Sequence, residues 1–128
     1  MAYTIQDICK GTNENFFLIA GPCVVESRER CLEIGTRVKA ICERLEIPYI
    51  FKASFRKANR SRIDSYTGTG DLEGLEIIAE TGARLGVPVT TDIHQDSDAA
   101  LAAQYVDILQ IPAFLCRQTS LLVAAAQT

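Results

Sequence analysis

No stretch of this 128-residue chain approaches the roughly 20 consecutive apolar residues that a membrane-spanning helix needs. Its opening, Met-Ala-Tyr-Thr-Ile-Gln-Asp, lacks the basic-then-apolar order of a secretion signal, so a cytoplasmic setting and no membrane partner are expected. There is no C-x-x-C pair. The five cysteines, Cys9, Cys23, Cys31, Cys42 and Cys116, are odd in number, which fits neither a disulfide framework nor a zinc finger. An excess of positive charge is missing too. Thirteen Lys and Arg against sixteen Asp and Glu give a net charge of −3, which argues against a nucleic-acid partner. Neither G-x-G-x-x-G nor a Walker sequence occurs, so nothing supports a nucleotide-binding loop.

The chain does hold a local concentration of charge. Lys52 to Arg62, K-A-S-F-R-K-A-N-R-S-R, carries five of the thirteen basic side chains and no acid. A solvated basic loop is the ordinary reading of such a run. Here the run follows Tyr49-Ile50-Phe51, which reads as a buried strand, and Ser54, Asn59 and Ser61 are interleaved with the cations. Ligands of α/β folds bind at the carboxyl ends of strands. Clustered Lys and Arg beside small hydroxylic residues suit phosphate.

The remaining pattern supplies the scaffold. Phe16 to Ala20 is an apolar run closed by Gly21-Pro22, as in a strand buried on both faces. Ser27 can cap a helix whose apolar stripe is Cys31, Ile34, Val38, Ile41, Cys42 and Leu45. Pro48 bars its continuation, and Tyr49 to Ser54 form the next strand. Leu72, Leu75, Ile78, Ala79 and Leu85 mark a second helix, stopped by Gly86 and Pro88. A strand over Val87 to Ile93, a short helix from about Ser97 to Gln104, a strand over Val106 to Ile111 and a helix from about Thr119 complete the order. Strands alternating with helices mean an α/β fold of parallel βαβ units, either an open doubly wound sheet or a TIM-type (β/α)₈ barrel. A barrel takes about 250 residues, so residues 1–128 are expected to be one partial barrel domain of about four βα units. The final apolar run, Leu121 to Ala126, has no Gly stop, and further chain is expected to complete the fold. Alone, such a half should be marginal and prone to self-association through its unpaired edges.

Four strand ends carry polar groups: Cys23, Lys52 with Ser54, Asp92 with His94, and Gln110. Taken singly, Asp92 reads equally as a loop cap, His94 as a satisfied neighbour and Gln110 as a partner for backbone. Cys31 and Cys42 read as small core residues. In a parallel barrel the four ends converge on one face, and together they read as a site.

Four motifs bring in a family. G-P-C-V-V-E-S at Gly21 to Ser27, F-K-A-S-F-R-K-A-N-R-S at Phe51 to Ser61, T-T-D-I-H at Thr90 to His94, and Q-I-P-A-F-L-C-R-Q-T at Gln110 to Thr119 resemble the 3-deoxy-D-manno-octulosonate 8-phosphate synthases. The related 3-deoxy-arabino-heptulosonate 7-phosphate synthases share the barrel and the G-P-C turn but have a K-P-R-type segment in place of K-A-N-R. The resemblance implies an aldol-like condensation of phosphoenolpyruvate with arabinose 5-phosphate, in lipopolysaccharide-type sugar biosynthesis, by a cytoplasmic homotetramer. It implies that Lys52, Ser54 and Lys57 hold phosphoenolpyruvate, with Gln110 and the Ala113 backbone nearby. It implies that Asn59 binds the aldose, that Arg60 and Ser61 grip its phosphate across a subunit interface, and that Lys57, Asn59 and Asp92 act in catalysis.

Cysteine at position 23, rather than asparagine, implies the branch that needs a divalent metal such as zinc, iron or manganese. The other ligands, a His, a Glu and an Asp, would come from the later half of the barrel. Arg56 stands where the family commonly has Asp, and Arg62 and Asp64 also depart, so a loop more basic than typical is expected, one that either grips phosphate more tightly or moves the subunit interface without changing the reaction. A non-catalytic phosphate-binding half-barrel and the heptulosonate reaction are the competing readings.

Overall fold

A computed structural model describes residues 3–10, 16–56 and 70–128. In chain order its elements are α1 (Ile5–Cys9), β1 (Leu18–Ala20), α2 (Arg28–Arg44), β2 (Tyr49–Lys52), α3 (Asp71–Leu85), β3 (Val89–Asp92), α4 (Asp96–Ala102), β4 (Ile108–Gln110), a 3₁₀ turn (Ala113–Leu115) and α5 (Thr119–Ala126).

Single residues set several boundaries. The Ser27 hydroxyl accepts from the Arg30 amide at 3.1 Å and satisfies one of the unpaired donors that open α2. Pro48 has no amide hydrogen to extend the helix, and its carbonyl instead accepts from Leu18 at 2.9 Å as the sheet begins. Gly86 closes α3 in the left-handed region at φ 65, where a side chain would be strained. Two elements were not anticipated, α1 and the 3₁₀ turn. A reciprocal cap starts α1: the Asp7 amide donates to Thr4 Oγ1 at 3.2 Å, and the Thr4 amide donates to Asp7 Oδ2 at 2.9 Å.

The four strands form one parallel sheet in sequence order. Phe51 is registered with Val89 and Lys52 with Thr90, while Asp92 is registered with Gln110. Phe51 lies against Gly35 of α2, and Val89 against Gly82 of α3, so these side chains point to the helices. Alternation then places Ile50, Lys52, Thr90 and Asp92 on the opposite face. The core fills the helix side, with Cys31, Cys42, Phe51, Leu75, Ile77, Ile78, Ile93 and Leu121 buried. All of this matches a partial TIM-type barrel.

The expectation that β1 is buried on both faces fails. Ile19 is 44% exposed and Phe16, just before the strand, 68%. The reason is topological: β1 and β4 are the edges of the four-stranded sheet, and only β2 and β3 have strands on both sides. Ile41 and Leu45 of the expected α2 stripe are exposed as well, since no described element covers that flank. Among the described residues no helix is long and apolar enough to cross a membrane.

Candidate functional site

Because the strands run the same way, their carboxyl ends form one rim. Lys52, Asp92 and Gln110 are the last residues of β2, β3 and β4. Cys23 follows β1 through a turn that the sequence fixes at Gly21. A Cβ on Gly21 would sit 1.8 Å from the Lys52 carbonyl oxygen, so only glycine lets the turn pass this close to β2. Beyond it Val24 bridges Ser54, and the Val25 amide donates to the Ser54 carbonyl at 3.0 Å. From the Ala20–Phe51 pair to the Val24–Ser54 bridge the first chain takes four steps and the second three (24 − 20 against 54 − 51), the extra residue of a bulge. Cys23 lies in this bulged turn, exposed.

Asp92 is the centre of the rim. The Ser54 hydroxyl donates to its Oδ1 at 2.5 Å, His94 Nε2 lies 2.7 Å from Oδ2, and Lys52 Nζ lies 3.9 Å from Oδ1. Burial pushes the Asp92 carboxyl up, but the hydrogen bonds from His94 and Ser54 and the Lys52 charge outweigh it and hold the group below its ordinary value of 3.8. Asp92 is therefore ionised at neutral pH. A carboxylate only accepts, so His94 Nε2 carries the shared hydrogen. His94 Nδ1 is buried without a hydrogen-bond partner among the described residues, so His94 is half satisfied rather than fully. Four strand ends thus gather as expected: Gln110 stands beside Asp92 in register, and Ala113 opens the 3₁₀ turn that follows β4. Cys31 and Cys42 are buried core residues, and burial pushes the Cys31 thiol up to about 11.

The second polar cluster overturns an expectation. Arg56 does not add a free cation to the loop. Its Nε and Nη2 donate to the two carboxylate oxygens of Asp71, both at 3.1 Å, and Nη2 also donates to Asp98 Oδ1 at 2.8 Å. Burial would lower its pKa, but the two carboxylates outweigh that and hold the guanidinium charged. An incoming phosphate would have to displace two acids, so Arg56 is spent on the scaffold. Asp71 and Asp98 were missed from the sequence. Acids in the first turns of α3 and α4 look like ordinary complements to helix dipoles, and nothing in their spacing points to a shared arginine.

Lys57, Asn59, Arg60 and Ser61, with Arg62 and Asp64, lie outside the described residues. Among the described residues no three His, Cys, Asp or Glu side chains are placed to hold a metal. Cys23 suits a metal as a single exposed thiol donor on the rim, and a complete ligand set is not present in these residues.

The sequence profile described as the DAHP synthetase I family matches residues 1–128. Similar proteins include a 2-dehydro-3-deoxyphosphooctonate aldolase from Cyanothece sp., 52% identical over 122 residues, covering 95% of this chain and 45% of that protein. One of the same name from Fusobacterium nucleatum is 52% identical over 124 residues, covering 97% of this chain and 45% of its own length. Another, from Koribacter versatilis, is 48% identical over 126 residues, 98% of this chain and 45% of that protein. The chain thus spans under half the length of these relatives.

Proposed function

The chain belongs to the DAHP synthetase I family, and on that premise we propose that it forms the first half of an enzyme that condenses phosphoenolpyruvate with arabinose 5-phosphate. A carbon–carbon bond forms between the enolate carbon and the aldehyde, water is consumed, and inorganic phosphate leaves. The relatives' shared name, 2-dehydro-3-deoxyphosphooctonate aldolase, favours this acceptor over erythrose 4-phosphate. The observation that carries the reading is the rim itself. Lys52, Ser54 and an ionised Asp92 face the open side of the sheet, and the K-A-N-R segment follows shortly after β2 in the sequence.

In this reading Lys52, Ser54 and Lys57 hold phosphoenolpyruvate, with Gln110 and the Ala113 backbone beside it. Asn59 binds the aldose, and Arg60 and Ser61 its phosphate. Two phosphorylated anions repel, and Lys and Arg at the rim offset that repulsion. Holding both in reacting geometry makes the encounter effectively unimolecular. Asp92 fixes the Lys52 ammonium from below and positions the Ser54 hydroxyl. A divalent metal, when bound with Cys23 as one ligand, would supply stabilisation of developing negative charge. The working form is a cytoplasmic homotetramer.

The test uses a full-length protein containing this sequence. Phosphate release is expected with both substrates in the presence of Mn²⁺ or Zn²⁺ and not with erythrose 4-phosphate. Anion binding without turnover would replace this reading with a non-catalytic phosphate-binding module. In Cys23→Asn, inhibition by chelator should largely disappear, and an unchanged chelator response would remove Cys23 from the metal site.

A further inference from the structure

Arg56 is paired within the protein to Asp71 and Asp98, and it sits where segment 57–69 begins. We propose that Arg56 is a positioning residue: clamped between Asp71 and Asp98, it sets the two ends of segment 57–69 relative to the Asp92 rim. This rests on the function proposed above, because that segment carries Lys57, Asn59, Arg60 and Ser61.

Three parts of the fold meet at this guanidinium. It leaves the chain two residues after Ser54, which donates to Asp92. Its forked pair with Asp71 ties it to the first residue of α3, so the chain entering segment 57–69 is fixed against the chain leaving it. Its bond to Asp98 Oδ1 reaches the turn after β3, where Asp98 Oδ2 accepts the amides of His94 at 3.0 Å and Gln95 at 2.9 Å. His94 in turn holds Asp92. Below the clamp, the Phe55 ring lies 5.2 Å from Arg56 Cζ and 6.2 Å from the His94 ring. Phe55 is itself wedged against Gly74 of α3, where a Cβ would come within 3.1 Å. One planar cation therefore references the ends of the segment and the catalytic carboxylate to a common frame. Pre-setting the ends of a binding segment lowers the ordering cost of ligand binding. Lysine cannot replace the fork, since a point ammonium makes no bidentate pair.

The experiment compares Arg56→Lys, Arg56→Ala, Asp71→Asn and the double variant Arg56→Ala/Asp71→Asn in the full-length protein. The expected result is a rise of about tenfold in KM for arabinose 5-phosphate in each single variant, with kcat within about twofold. The double variant should be no worse than Arg56→Ala, because both remove the same clamp. A rise with Arg56→Ala but none with Asp71→Asn would overturn the proposal and make Arg56 a direct phosphate ligand. Unchanged KM in every variant would also overturn it. Amide exchange across residues 57–69 gives a readout without substrate. It should accelerate about tenfold in Arg56→Ala and Asp71→Asn while β3 stays protected. Unchanged exchange rejects the clamp even if arabinose 5-phosphate proves not to be the acceptor, and absence of wild-type turnover rejects only the function.

Discussion

Two polar clusters share the rim of this sheet and use charge in opposite ways. At Asp92 one carboxylate is served by two hydrogen-bond partners, Ser54 and His94, and by the nearby charge of Lys52. At Arg56 one cation is served by two carboxylates. The first cluster lies on the open face of the sheet, and its lysine keeps a quarter of its side chain exposed toward whatever fills that face. The second is consumed locally, with the cation outnumbered by acid. A run of positive charge in a sequence is therefore no measure of how much cation a ligand meets. What decides is the acid each cation faces once the helices are in place.

The sharpest way to break the contrast is to remove charge without shape. Asp92→Asn keeps an acceptor for Ser54 but removes the anion that steadies Lys52 and His94. If Asp92 works at the reacting centre, kcat should fall by about 10²-fold or more, the scale of losing one electrostatic or proton-handling group. Arg56→Lys should leave kcat nearly intact and act on KM. Equal effects of both substitutions on kcat would erase the distinction between the clusters.

Gly21→Ala attacks the first cluster from the β1 side. The added methyl would overlap the Lys52 carbonyl, so either β2 or the Cys23 turn must shift. Overpacking against backbone costs about 1–3 kcal/mol, measurable as a lower denaturant midpoint. The shift should reach Lys52 and Ser54 before it reaches Arg56, and activity should fall further than stability alone predicts. A variant with full stability would show that the turn has room to move.

The division between what could and could not be read from the chain follows the same line. Periodicity and single punctuating residues predict the four strands and every helix except α1 and the 3₁₀ turn, because Ser27 and Gly86 act through local geometry alone. The gathering of Cys23, Lys52, Asp92 and Gln110 was also legible, since parallel strands bring their carboxyl ends to one rim without further information. What escaped were pairings that depend on distance in space. The Arg56 partners stand 15 and 42 residues away in sequence, and no local rule links them. The exposure of Ile19 escaped because an apolar strand reads alike in the middle of a sheet and at its edge.

Acid titration probes the Asp92 cluster directly. The folded Asp92 carboxyl has its pKa below the ordinary value of 3.8, so its contribution to stability is present above that value and is lost as pH falls through the folded pKa. The stability gap between wild type and Asp92→Asn should hold near neutrality and shrink below about pH 4. A gap that stays constant down to about pH 2 would mean that the carboxylate is not stabilised by Ser54, His94 and Lys52.

The smallest effect supplies the scale for the others. Ser27 touches neither cluster, and its hydroxyl only accepts the Arg30 amide at the start of α2. Ser27→Ala should cost about 1 kcal/mol, as loss of a helix cap does. It should leave KM for both substrates and the exchange of residues 57–69 unchanged. Because α2 packs on the helix side of β2, a global loosening of the sheet would pass through it to the rim. If Ser27→Ala raised KM as Arg56→Ala does, the response of the segment would report general stability, and the clamp would have no special claim to it.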